Sequence, residues 1–203
     1  MKNINYENLL CINTNGEEDW QDRFSHYHPY QATDYKALDI LFNNYNIVQS
    51  DYIVDFGCGK GRLIFYINYF FNATCRGIEM SRELYNCCLE NKKSYLKQHK
   101  NFKNEINFEN VLAQEYKINI NDNKFYFFNP FSIKIFIKVI DNILESIEKN
   151  MRYVELILYY PLEDYIYYLE NNTPFEVKKE ILLNDLYIKD KNERFLVFGL
   201  CYY

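Results

Sequence analysis

The chain has 203 residues, enough for one domain that buries roughly 70% of the surface its unfolded form exposes. Its 48% hydrophobic and 25% charged content is that of an ordinary globular protein, and the net charge of −5 argues against a nucleic-acid partner, which calls for a basic face. The start is polar and acidic, and no run reaches the ~18 apolar residues of a membrane span, so no membrane association and a cytoplasmic location are expected.

Residues 1–33 show no clear period and hold the single Trp20. A helix is predicted from Thr33, which can cap it, with Asp34 in the first turn and a stripe of Ala37, Leu38, Leu41, Phe42 and Tyr45. A short buried strand over Asp51–Asp55 precedes three alternate glycines, and Leu63, Ile64, Ile67, Phe70 and Phe71 then recur at helical spacing. Thr74–Ile78 reads as a second strand closed by Glu79, with Ser81 capping a helix to about Gln98. Lys92, Lys93, Lys97 and Lys100 belong to a solvated helix end favoured by the helix dipole. Strands over Glu105–Glu109 and Lys124–Phe128 follow, then a helix over Ile133–Lys149 and a β-rich run over Arg152–Tyr160. Pro161 suits the first position of a helix to about Glu170. Phe175–Leu183 and Arg194–Tyr202 close the chain as two strands joined by a turn rich in Asn, Asp and Lys. Strand–helix alternation with a closing strand pair predicts an α/β fold, a mostly parallel sheet with helices on both faces.

Cys11, Cys58, Cys75, Cys87, Cys88 and Cys201 form no Cys-x-x-Cys pair and no zinc-ligand spacing with the three histidines, so reduced thiols and no metal are expected. The 21 Tyr and 16 Phe predict an aromatic core and an aromatic pocket.

The most informative stretch is Val54-Asp-Phe-Gly-Cys-Gly-Lys-Gly61. In a doubly wound sheet, ligands bind beyond the C-terminal strand ends, where such a glycine turn lets a ligand approach the backbone. The turn lacks the Gly-Lys-Ser/Thr of a P-loop, and its third glycine comes one residue early for a dinucleotide loop. Asp55 would repel a pyrophosphate but attract a cation, which favours a cationic sulfonium ligand and disfavours a dehydrogenase cofactor. Glu79, ending the second strand, is placed to accept hydrogen bonds from ribose hydroxyls.

Together with Gly77-Ile-Glu-Met80, this stretch resembles motifs I and II of the class I S-adenosylmethionine-dependent methyltransferases. The resemblance covers about residues 33–203. It implies a Rossmann-like seven-stranded sheet of order 3-2-1-4-5-7-6 with the last strand antiparallel. It also implies one domain over 1–203, with residues 1–33 as a lid or substrate-side segment and 34–203 as the catalytic core. S-adenosyl-L-methionine is the implied cofactor. By matching position, Asp55 and Gly57 lie near its methionine moiety, Gly59 admits the backbone, Glu79 takes the ribose and Met80 flanks the adenine, with Cys58 of the same turn a further cofactor-binding candidate. Family members often place an acid after the third strand, where this chain has Leu112, so adenine recognition is assigned to Ala113 and Gln114.

Asn129-Pro130-Phe131 follows the fourth strand and is similar to the Asn/Asp-Pro-Pro-Tyr/Phe signature of nitrogen methyltransferases, one proline short. That resemblance implies an Asn129 oxygen and a following carbonyl accepting from an NH2 group, with Phe131 packed on the acceptor. The alternative is that Asn129 caps a helix beginning at Phe131, with Pro130 at its first position. Tyr30 and Thr33 are further candidates for contact with the cofactor, through aromatic attraction for cations in the case of Tyr30. His26 or His28 is a candidate base, or simply a surface residue, and Tyr159 and Tyr160 either line the acceptor pocket or pack in the core. The expected activity is methyl transfer to a nitrogen or oxygen of a small molecule or protein side chain. The competing readings are a non-catalytic S-adenosylmethionine-binding module and an RNA or DNA methyltransferase.

Overall fold

The computed structural model describes residues 4–16, 26–100 and 104–200, so Trp20 and Cys201 lie outside the described residues. Seven strands form one sheet: β1 (Tyr52–Phe56), β2 (Thr74–Ile78), β3 (Ile106–Glu109), β4 (Lys124–Phe128), β5 (Glu155–Tyr159), β6 (Phe175–Leu182) and β7 (Arg194–Leu200). Their order is β3-β2-β1-β4-β5-β7-β6, parallel throughout except for β7, which runs antiparallel to β5 and β6. The helices are α1 (Tyr6–Leu10), α2 (Tyr35–Asn44), α3 (Arg62–Phe71), α4 (Arg82–Gln98), α5 (Ile133–Lys149), α6 (Glu163–Asn172) and α7 (Asn184–Tyr187). The architecture is the expected Rossmann-like α/β sheet with the antiparallel last strand.

Central strands of a parallel sheet are covered on both faces, which explains the unbroken apolar runs of β1, β4 and β5. Successive side chains alternate between two cores. Ile53, Tyr126 and Ile157 face the α3 and α4 layer, while Val54, Phe56, Phe125, Phe127, Leu156 and Leu158 face α5 and α6. The edge strand β6 exposes Glu176, Lys178, Lys179 and Glu180, charges that discourage edge-to-edge pairing. Among the described residues, no helix is long and apolar enough to cross a membrane.

Three local expectations change. Helix α2 is capped by Asp34, whose side chain accepts from Lys36 N, and not by Thr33, whose hydroxyl is buried against Tyr126 at 2.8 Å. Helix α6 begins at Glu163 and not at Pro161, because Leu162 is extended, with φ −72 and ψ 147, and forms the cap. The stretch before α2 contains a helix that periodicity missed, since the five residues of α1 are too few for a stripe and owe their order to tertiary contacts. Tyr6 donates to Asp39, and Leu10 is fully buried.

Arg62, at the start of α3, ties this N-terminal segment to the sheet. Its Nε donates to Thr14 Oγ1 at 2.7 Å, Nη1 to the Thr33 carbonyl at 3.1 Å and Nη2 to Asn15 Oδ1 at 3.1 Å. It also pairs with Glu7 at 3.5 Å and lies over the Tyr35 ring. Arg62→Met keeps the apolar stem but orphans these acceptors, so urea denaturation should show a loss of about 2–4 kcal/mol. An unchanged midpoint would mean that the segment docks without this residue.

Candidate functional site

A cleft of about 570 Å³ opens beyond the C-terminal ends of the parallel strands. The topology orders its walls. The β2 and β3 ends contribute Ile78, Glu79, Met80 and Val111, with Leu84 of α4 and Ala113 beside them. The β1 turn, through Gly57 and Gly59, lies at the middle. The β4 and β5 ends contribute Phe128, Asn129, Pro130, Phe131, Tyr159 and Tyr160 on the far side, where the β6–β7 connection adds Asp190 and Glu193. Residues 27–31 run across this cleft. They are anchored by His28 N donating to the Pro130 carbonyl at 3.1 Å and by a bridge between Tyr27 and Phe131.

The glycine turn is built by backbone conformation. Gly57, Gly59 and Gly61 have φ of +76, +56 and +87, values that side-chain-bearing residues rarely adopt. A Cβ at Gly57 would lie 2.6 Å from Pro130 Cβ, and one at Gly59 would run into the Tyr30 ring. Glu79 braces the turn: one carboxylate oxygen accepts from Gly59 N at 2.9 Å and the other from Ser81 N at 2.8 Å.

Asp55 pairs across the sheet with Gly77 and Tyr126. Its side chain is 5% exposed and has no hydrogen-bond partner among the described residues. Burial first, and the nearby Glu79 charge second, push its carboxyl up to about 8. An unpartnered buried carboxyl is costly, and nothing in the described chain offsets it.

Asn129 leaves β4 with φ +40, and its Oδ1 is buried with no hydrogen-bond partner among the described residues. It does not cap a helix. Helix α5 begins four residues later at Ile133, after Ser132. The Asn129 carbonyl accepts from His28 Nδ1 at 2.7 Å, a pairing that puts the proton on Nδ1 and leaves Nε2 an acceptor. His26 instead pairs with Ser132 and does not line the cleft.

Of the residues named from sequence, the cleft brings together His28, Tyr30, Gly57, Gly59, Glu79, Met80, Ala113, Asn129, Pro130, Phe131, Tyr159 and Tyr160. Asp55 stands behind the turn, off the cleft lining. Cys58 turns its buried thiol toward Cys88, 4.0 Å away, and Thr33 turns to Tyr126. Gln114 accepts from the Tyr27 hydroxyl at 2.8 Å, outside the lining. Tyr30 is 8% exposed, with its ring on Gly59 and its hydroxyl donating to the Thr14 carbonyl at 2.7 Å. Sequence reasoning did not name Asp190, Glu193, Leu84 or Val111. The first two sit in a polar turn of ordinary composition, and only the antiparallel return of β7, through Tyr160 N to the Arg194 carbonyl at 3.1 Å, carries them to the end of β5. A signal for Leu84 existed, since it falls one turn into the helix that follows Glu79.

This strand order, with a glycine turn after β1 and an acid closing β2, is the class I S-adenosylmethionine-dependent methyltransferase fold. Solved structures agree at the level of the fold. The chain is similar to an RNA methyltransferase from Salinibacter ruber in complex with S-adenosyl-L-homocysteine, at 13% identity and TM-score 0.56 over 84% of this chain and 92% of that one. It is also similar to a tRNA (uracil-54, C5)-methyltransferase from Pyrococcus abyssi, at 12% identity and TM-score 0.54, over 85% of this chain and 40% of that chain. A third similar structure is the [4+2]-cyclase SpnF, at 11% identity and TM-score 0.60, over 83% of this chain and 81% of that one. No family model and no curated protein matches the chain.

Proposed function

We propose that this protein is an S-adenosyl-L-methionine-dependent methyltransferase acting on a nitrogen or oxygen of a small molecule or protein side chain. The observation that carries this reading is Asp55, a buried carboxyl without a hydrogen-bond partner among the described residues, beside a glycine turn that admits a ligand to the backbone. A ligand ammonium supplies the missing partner, as no phosphate would. Structures of similar fold, crystallised with S-adenosyl-L-homocysteine, support the same cofactor. When bound, the sulfonium supplies an electrophilic methyl group.

The chain's own residues then divide the work. Gly57 receives the methionine end, with Asp55 behind the turn as counter-charge for its ammonium, Glu79 accepts from the ribose hydroxyls, and Met80, Leu84, Val111 and Ala113, which line the cleft, form the apolar slot for the adenine. Cys58 and Gln114 serve through the backbone and through Tyr27. Thr33 holds the segment that carries Tyr30. Asn129 Oδ1 accepts from the incoming N–H or O–H and aims its lone pair, and orientation of this kind supplies much of the acceleration of an in-line displacement. Pro130 and Phe131 shape that wall, and His28 Nε2 is the group able to accept the departing proton. One domain spans the chain, with residues up to 33 on the substrate side and 34–203 as the core.

A second reading, a binding module without turnover, is favoured by Tyr30 packed on Gly59, where it narrows the approach to the turn. Calorimetry tests the cofactor. S-adenosylmethionine and its demethylated product should bind, and NAD and NADP should not. Binding of a nicotinamide cofactor alone would overturn the proposal. Incorporation of labelled methyl from the cofactor into a cell extract separates enzyme from binding module.

A further inference from the structure

The far wall of the cleft has a charge pattern that methyl transfer as such does not require. Glu79, Asp190 and Glu193 line the cleft, and among the described residues no Lys or Arg does. Two tyrosines at the end of β5 hold the outer acids. Tyr159 donates to Glu193 at 2.7 Å, and Tyr160 donates to Asp190. The Tyr160 hydrogen bond also holds the Asp190 carboxyl below its usual range, so it stays ionised at neutral pH. The tyrosine hydroxyls are thereby committed as donors, and what they leave facing the cleft is acceptor oxygen. Independently of the acids, Asn129 Oδ1 is a buried acceptor with no donor among the described residues. Phe128 and Tyr159, with ring centroids 4.4 Å apart, add apolar carbon to the same wall.

We propose that this wall selects a positively charged amine as the methyl acceptor, with Asp190 and Glu193 as its counter-ions and Asn129 Oδ1 as the acceptor for its N–H. The inference rests on the methyltransferase reading above and names its substrate class. An alkylammonium answers both features at once: it brings donors to Asn129 and charge to the carboxylates. An anionic acceptor meets two carboxylates on this wall and, among the described residues, no Lys or Arg in the lining. For transfer, the bound ammonium gives up one proton to His28 Nε2 or water. The freed nitrogen lone pair forms the N–C bond as the C–S bond breaks, and the breaking pair stays on sulfur as a neutral thioether. The methylated ammonium keeps the acceptor's single positive charge, so charge and atoms balance.

The test is a charge series titrated into protein saturated with S-adenosyl-L-homocysteine. Phenethylamine, 2-phenylethanol and 3-phenylpropanoate report on free amines. A tripeptide Ac-Ala-Lys-Ala-amide and its norleucine counterpart report on a protein side chain. In at least one arm, the cation should bind about 10-fold or more tightly than its neutral partner, with the carboxylate weakest. The paired variant Asp190→Asn, Glu193→Gln, checked for saturation with S-adenosyl-L-homocysteine, should lose that advantage. Equal affinities across the series, a preference for the carboxylate, a cation preference kept by the variant, or no probe bound by the cofactor-loaded protein each overturns amine selection and leaves the cofactor reading standing. If S-adenosyl-L-homocysteine itself does not bind, the methyltransferase reading falls and takes this inference with it.

Discussion

Replacing Asp55 by asparagine should give a protein that is more stable than the wild type yet no longer binds S-adenosylmethionine. The carboxyl is pushed from its ordinary value of 3.8 up to about 8 by burial and by Glu79. Between those values the folded protein holds a proton that the unfolded chain has released. The group's contribution is therefore fully present below pH 3.8 and is lost as pH rises through about 8. Asp55→Asn removes this loss without changing shape. Its gain over the wild type should be near zero at pH 4 and grow to about 2–4 kcal/mol at pH 8, read from urea denaturation at the two pH values. A variant less stable at both would show that the carboxyl is partnered after all. The same linkage sets cofactor binding. An ammonium favours the ionised form, so binding near pH 7 should release a proton, measurable by calorimetry in buffers of different ionisation enthalpy. Affinity should rise toward pH 8 and fall above it, because an α-amino group itself titrates at about 7.7–8.0. A flat profile with no proton release would remove Asp55 from the ligand's reach. Retaining such a carboxyl trades stability for function.

The second large effect is expected at Asn129. Its Oδ1 is buried without a partner among the described residues and its backbone is left-handed, two unfavourable features that glycine relieves. Asn129→Gly should therefore be as stable as the wild type or up to about 2 kcal/mol more so, with an unchanged cofactor affinity. Labelled-methyl incorporation should nevertheless drop by about 100-fold or more, since the group that aims the acceptor is gone. Unchanged incorporation, or lost stability in its place, would reduce Asn129 to a turn residue.

These two residues also show what a linear reading reaches. Asp55 and the glycine turn are adjacent in the chain, so their chemistry is visible as a motif. So are Glu79, one residue beyond its strand, and Asn129, one residue beyond β4. Motif spacing did not reveal direction. Cys58 and Gly57 are neighbours, yet Gly57 faces the cleft and the Cys58 thiol faces the core beside Cys88. Thr33 has the chemistry of a cap and sits one residue too early to be one, because its hydroxyl finds Tyr126 in the sheet. Helix α5 was legible in extent, but the buried face runs through Ile135 and Val139, which pack in the sheet-facing cluster with Phe136, while Ile133 and Ile137 are only partly buried.

Periodicity and turn chemistry are local. They determined the order of strands and helices, the loop that meets a ligand and the acid that closes β2, because each depends on residues within a few positions of one another. The composition of the far wall is not local. Asp190 and Glu193 stand about thirty residues from the tyrosines they pair with, at 30 and 34 positions. Only β7, turning antiparallel between β5 and β6, brings them to the cleft. Likewise the hydrogen bonds that close residues 26–33 over the site reach across about a hundred positions to Asn129 and Ser132. The sequence determines what chemistry the β1 turn can hold. Which charges face the acceptor is a property of the closed sheet, because it arises from pairings that no short window of the chain contains.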